Sequence, residues 1–185
     1  MSAWELPVSL NIGGKDYSVR YQFSAALDVL RAYNDPELDQ DERMEIMLRI
    51  LLPGCESIPE EHLQEAVEKC IWFLDCEKKD DGKPKPKLLD WEQDAAIIMP
   101  EINKVAGKEI RWEKDTHWWT FVGWFMSIGE GFLANVLHIR KKLSSHKKLE
   151  KWEKEFYREN KQAIDLKKRE SAEERAIKDS ILSWL

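Results

Sequence analysis

Cysteine is scarce in this 185-residue chain: Cys55, Cys70 and Cys76 are the only three, and no two stand in C-x-x-C spacing. An odd count without paired spacing argues against a disulfide framework and gives zinc no ligand set. The thiols are therefore expected to be reduced, as in a cytoplasmic protein, with Cys70 inside an apolar helical stripe where a thiol acts as a small hydrophobe. The usual catalytic signatures are missing as well. There is no H-E-x-x-H and no G-x-S-x-G, and Gly13-Gly14 lacks the Lys-Ser/Thr pair and following helix of a phosphate loop. The histidines are His62, His117, His138 and His146, and none has a carboxylate or second histidine at metal-ligand spacing on a shared helix face. His117 abuts Trp118, Trp119 and Phe121, which reads as a packed, hydrogen-bonded imidazole without a partner base or nucleophile. Asp90, Glu92, Asp94, Glu101, Asp115 and Glu130 invite an acid–base reading, but 35 acidic residues produce such neighbours by composition alone. Glu92 and Asp94, at i,i+2, do not share a helix face. The sequence reading is not an enzyme, with no cofactor and no metal site; a small-molecule or metal-dependent enzyme is kept as the second alternative.

Positive charge is also in short supply. Lys plus Arg number 29 against 35 Asp plus Glu, a net charge of −6. An acidic chain with 35% charged residues is a poor nucleic-acid binder as a whole and no membrane bundle. The opening Met-Ser-Ala-Trp-Glu-Leu-Pro has neither the basic nor the apolar region of a secretory signal. From Trp118 to Ile139 the one acidic or basic residue besides His138 is Glu130, a stretch about as long as a bilayer span. Gly129-Glu130-Gly131 places a carboxylate and two helix breakers at its middle, which predicts two short buried helices.

What remains is a mostly α chain. Val8, Leu10 and Ile12, then Tyr17, Val19 and Tyr21, alternate with polar residues around Gly13-Gly14. That pattern predicts a β-hairpin over about 7–21, packed by its apolar face on the helices that follow. Helical spacing predicts a helix begun by Ser24 with Leu27, Leu30 and Tyr33 inward, and one from about Asp39 to Leu52 stopped by Pro53-Gly54. A third follows a capping box at Ser57–Glu60 and carries Leu63, Ala66, Val67, Cys70, Ile71 and Leu74. After the polar loop Lys78–Lys87, Asp90 and Gln93 form another capping box, for a helix to Ala106 that Pro100 should kink or split. Then come a Trp-rich helix from His117 to Ile128, a helix from Phe132 to Leu143 and a long polar helix from Ser145 to Lys168. Ser171–Glu174 is a capping box opening a last amphipathic segment. The expected architecture is a multi-helix bundle with the N-terminal hairpin packed on it, one domain over 1–168 and a C-terminal segment over 169–185.

Two surfaces suit a partner. Trp118, Trp119, Phe121, Trp124 and Phe125 cannot all face one side of a helix. Trp118, Phe121 and Phe125 are expected inward, leaving Trp119 or Trp124 against another element or a partner. The last segment presents Ile177, Ile181, Trp184 and Leu185 behind a polar linker, a pattern that docks on its own domain or enters a partner groove. Charge is unevenly spread. Residues 35–68 hold eleven acids against two bases, a net of −9, and residues 140–151 hold six bases against one acid, a net of +5. The basic stretch beside Trp152 has the charge to bind nucleic acid, but the overall negative charge favours a solvated helix end with Glu150–Lys154 and Lys151–Glu155 pairs. A further reading sets the two stretches against each other, between copies or with a partner.

Several segments together are familiar: Trp4-Glu-Leu-Pro7 before Ile12-Gly-Gly-Lys15-Asp-Tyr17, then Leu89-Asp90-Trp-Glu-Gln93-Asp94, His117-Trp118-Trp119-Thr-Phe121 and Ile139-Arg140-Lys-Lys142. From Trp4 to about Lys168 the chain resembles the bacteriophage gene-product-fifteen family, the Asp90–Asp94 and His117–Phe121 motifs being the most specific. The resemblance implies a protein encoded in the tail-gene cluster of long-tailed phages of Gram-positive hosts, close to the tape-measure gene, with no catalytic residues to carry over. It implies a tail-assembly chaperone in the host cytoplasm, with the tape-measure protein and the tail-tube protein as partners and self-association as a further possibility. A structural tail or connector component retained in the virion is the first alternative. No nucleic acid and no membrane are expected as partners.

Overall fold

The computed structural model describes residues 4–77, 82, 86–167, 169–172 and 174. The chain divides into two compact units, Met1–Leu74 with Lys168–Leu185, and Asp75–Lys167. The polar stretch Lys78–Lys87, read above as a loop within one domain, follows directly on this boundary.

In the first unit, β1 (Ser9–Ile12) and β2 (Lys15–Ser18) pair antiparallel, with Leu10 opposite Tyr17 and Ile12 opposite Lys15. Gly13 and Gly14 turn the chain at φ +57° and +78°. Two successive positive φ angles are the mark of the hairpin turn that matches strand twist, and glycine adopts them without strain. Gly13 is constrained twice, because a Cβ there would lie 2.5 Å from His62 Cδ2. Its N–H donates to Glu65 Oε2 at 2.9 Å, fixing the turn to the third helix. Leu10, Ile12, Tyr17 and Val19 are buried as the alternation predicts, and the hairpin packs on the helix Leu63–Leu74. Val8, at the open end, is exposed.

Three helices complete this unit. They are α1 (Phe23–Tyr33), α2 (Gln40–Leu51) and α3 (Leu63–Leu74), with α2 packed on both others. Asp39 caps α2 in a reciprocal capping box with Glu42. The expected stripe of α1 is rotated: Phe23, Ala26 and Val29 are buried, Tyr33 is exposed, and Gln22 rather than Ser24 precedes the helix. Phe23 is the larger apolar surface and draws the helix round toward itself. Ser57 does not cap α3. Its hydroxyl donates to Gly54 O within the 3-10 turn Cys55–Ser57, and a second 3-10 turn, Glu60–His62, leads into the helix.

The second unit holds α4 (Ala95–Ala106), a 3-10 turn Ile110–Trp112, α5 (Trp118–Met126), α6 (Phe132–Ser144), α7 (Lys151–Glu159) and α8 (Lys161–Ile164). The break at 127–131 separates α5 from α6 where Gly129 and Gly131 predicted it. Pro100 does not split α4, which runs through it as one element to the left-handed cap at Gly107. Proline there removes one backbone donor, and its ring is on the exposed side. The long polar helix is shorter than predicted. Residues 145–150 are irregular, α7 ends at Glu159, and α8 turns off after Asn160, whose side chain donates to Phe156 O at 3.0 Å. Ile98, Ile102, Ile110, Trp118, Phe121, Leu133, Val136, Ile139 and Ile164 form the buried apolar set, with α4 packed on α5 and α6, and α8 on α6 and α7. Among the described residues no helix is long and apolar enough to cross a membrane.

Candidate interaction surface

The buried charges of the second unit come first, because they determine which groups are left for a partner. Arg140 on α6 is 4% exposed and Asp94, at the start of α4, 2%. Arg140 donates two hydrogen bonds to the Asp94 carboxylate, at 2.6 and 2.8 Å. Its other three go to the carbonyls of Leu88 at 2.8 Å, Ala163 at 2.6 Å and Ile164 at 2.7 Å. All five guanidinium donors are therefore used, which is the condition for burying an arginine. Asp94 also accepts the Asp90 N–H, and Asp90 accepts the N–H groups of Glu92 and Gln93 and an ion pair from Lys87. Only half of the predicted Asp90–Gln93 capping box forms, since the Gln93 side chain donates to Asp165 O and accepts from Lys167 N. The two acids of the Asp90–Asp94 motif, the first read from the sequence as a cap, thus hold the ends of this unit together.

Glu153 on α7 is a second such centre, 1% exposed. It accepts Lys142 Nζ, His138 Nε2 at 2.7 Å and the Glu150 N–H at 2.6 Å. The Lys142 hydrogen bond, with those from Glu150 and His138, holds its carboxyl down to about 2, and the same bond raises Lys142. Tyr157 is raised by its hydrogen bond to Asp165, made at 2.9 Å. Glu109 is held near 2 by the Arg111 side chain, and Asn103 ties it to α4. His117 accepts the Trp119 N–H on Nδ1 at 3.0 Å and caps α5, as its packed position predicted. Every one of these groups has a structural use. Among the described residues no three His, Cys, Asp or Glu side chains group as metal ligands.

The aromatic residues divide. Trp118 and Phe121 are buried and stacked at 5.6 Å, and Trp91 lies against Trp118, Phe121 and Phe125. Trp119 and Trp124 are half-buried on other sides of α5. Trp119, Val122 and Met126 recur at i, i+3 and i+7, so α5 has an outer apolar stripe ending in Met126, 64% exposed. The other predicted partner residues, Ile177, Ile181, Trp184 and Leu185, lie outside the described residues. The cap before them is present: Ser171 Oγ accepts the Glu174 N–H at 3.1 Å, and Glu174 accepts the Ser171 N–H at 3.0 Å.

Two exposed aromatic residues, Trp112 and Trp152, were not among the predicted partner residues. Trp112 is 84% exposed on the 3-10 turn after α4. Trp152 on α7 is 47% exposed and lies nearly parallel to the His138 ring, at 16° and 6.2 Å between centroids. Those two rings, with Glu130, Gly131, Ala134 and Asn135, line an open depression of about 730 Å³. A smaller one, about 540 Å³, is lined by Lys151, Lys154, Glu155 and Arg158. These four stand at i, i+3, i+4 and i+7, opposite the buried Glu153 side of α7. The signal was available in the spacing, but the predicted continuous helix from Ser145 put no boundary where the face begins.

One comparison speaks to identity. No curated protein and no solved structure matches the chain. The family model described as Bacteriophage Gp15 protein matches residues 4–166, which includes all four motifs quoted from the sequence. The chain therefore belongs to the Bacteriophage Gp15 protein family.

Proposed function

We propose that the protein is a non-enzymatic tail-assembly factor that binds the phage tape-measure protein in the host cytoplasm and helps tail-tube subunits assemble around it. Membership of a bacteriophage family across 4–166 carries the reading. The geometry is compatible with it. The buried ionisable groups are occupied by structural bonds, while apolar side chains remain outside: the Trp119–Met126 stripe of α5 and the Trp152–His138 depression. A tape measure is a long helical protein with apolar stripes, and such stripes bind apolar grooves with polar rims.

The test is co-expression with the tape-measure protein of the same gene cluster, followed by size-exclusion chromatography with light scattering. A soluble co-eluting complex, weakened by Trp119→Ala with Met126→Ala, supports the proposal. A tape measure that stays insoluble beside free chain overturns it. Mass spectrometry of purified virions then separates a chaperone, absent from the particle, from a structural component that remains.

A further inference from the structure

The outer face of α7 carries three cations, Lys151, Lys154 and Arg158, and one acid, Glu155. Among the described residues the side chains of Lys151, Lys154 and Arg158 make no hydrogen bond or ion pair, and neither do those of Lys147 and Lys148 just before the helix. The Glu150–Lys154 and Lys151–Glu155 pairs expected from the sequence do not form. Glu150 pairs instead with Lys142 at 3.6 Å, because the capping box with Glu153 holds it at the helix start. Trp152 lies at the edge of this face, half exposed. The face is therefore net positive, three cations against Glu155, and has an apolar anchor at its edge, in a chain whose net charge is −6.

The complementary surface is on the same chain. Glu56, Glu60 and Glu61 lie on the two 3-10 turns before α3, all exposed and, among the described residues, without an ion-pair partner. Leu63, 38% exposed, follows them directly and offers the apolar counterpart to Trp152. Like charges held together without counter-ions repel, and opposite charge relieves that cost. Three unpaired cations with an exposed Trp and three unpaired carboxylates with an exposed Leu form matching halves of one contact.

We propose that the chain self-associates head to tail, the α7 face of one copy (Lys151, Lys154 and Arg158, with Trp152 at its edge) docking on Glu56, Glu60 and Glu61, with the following Leu63, of a second copy. The two halves are different patches, so the contact is heterologous and each copy keeps one half free for the next. Such a contact grows into a ring if the rotation closes and into an open chain if it does not.

The test uses the full chain in sedimentation-velocity runs from about 0.01 M to about 1 M salt, over which the Debye length falls from about 30 Å to about 3 Å. Expected is concentration-dependent association at low salt that is lost at high salt. Lys151→Glu with Lys154→Glu and Arg158→Glu, and separately Glu56→Lys with Glu60→Lys and Glu61→Lys, should each weaken association at least about tenfold. Mixing the two reversed variants, or combining all six changes in one chain, should restore it. Circular dichroism melts report whether each variant folds, and the mixing arm stands even if the six-fold variant does not. A chain that is monomeric at all salts overturns the proposal, as does association that neither reversal changes. A fluorescein-labelled oligonucleotide is the remaining arm: binding that requires the α7 cations, without self-association, overturns the proposal and assigns the face to a polyanion.

Discussion

Arg140 and Asp94 stand 46 residues apart and meet in a two-bond ion pair, both side chains nearly closed to solvent. One comes from the middle of α6 and the other from the start of α4, so their meeting fixes how those helices sit on each other. The remaining guanidinium donors hold the Leu88 and α8 carbonyls. Breaking the pair from one side leaves a buried charge uncompensated, which costs about 3–5 kcal/mol. Arg140→Met and Asp94→Asn should each lower the unfolding free energy obtained from urea denaturation by that order. Equal stability to wild type would show that the pair does not organise this unit.

The hairpin turn gives a sharper comparison. Gly13→Ala forces a Cβ against the His62 ring at a positive φ, whereas Gly14→Ala meets open space at a similar φ. The backbone cost alone is about 1–2 kcal/mol for a left-handed non-glycine residue. Gly13→Ala should therefore destabilise more than Gly14→Ala, measured by chemical denaturation of both. The reverse order would mean that His62 moves aside freely.

Acid should loosen the fold through Glu153 and Glu109. Their folded-state values are lowered from 4.5 to about 2, so the stability they contribute is full above the unfolded value and is lost as pH falls from 4.5 toward 2. Denaturation midpoints should decline through that window. Glu153→Gln should be less stable at neutral pH and show a shallower decline. An unchanged slope would show that Glu153 does not titrate in the native state as placed.

Thiol chemistry should separate the cysteines. Burial pushes the Cys70 thiol up to about 12, with Cys55 adding to the rise, while Cys55 and Cys76 are half-buried. Near pH 8 a thiol reagent such as DTNB should titrate Cys55 and Cys76 in the native protein and reach Cys70 only on unfolding. Fast reaction of the Cys70→Ser variant and of wild type to the same extent agrees; one extra fast thiol in wild type does not.

Two of these tests rest on features legible in the sequence and two on features that were not. Local rules carried far: alternation around Gly13-Gly14 located the hairpin, the Asp39–Glu42 box began α2, and Gly129–Gly131 ended α5 before α6. The inward set Trp118 and Phe121 followed from helical spacing, because an apolar face must be covered. Family membership was also legible, in motifs whose residues prove to be structural.

The tertiary structure decided which charges are buried and with what. Asp94, which invited an acid–base reading, and Glu153, which the sequence did not single out, each lie inside the second unit, where a cation from another helix meets them. It also decided that α7 is short and that its outward cations go unpaired, since Glu150 is drawn to Lys142 and the helix end. Local spacing determines which side chains share a face of one helix. Pairings between helices depend on how those helices pack, and that is set by the whole core at once, which no window of sequence contains.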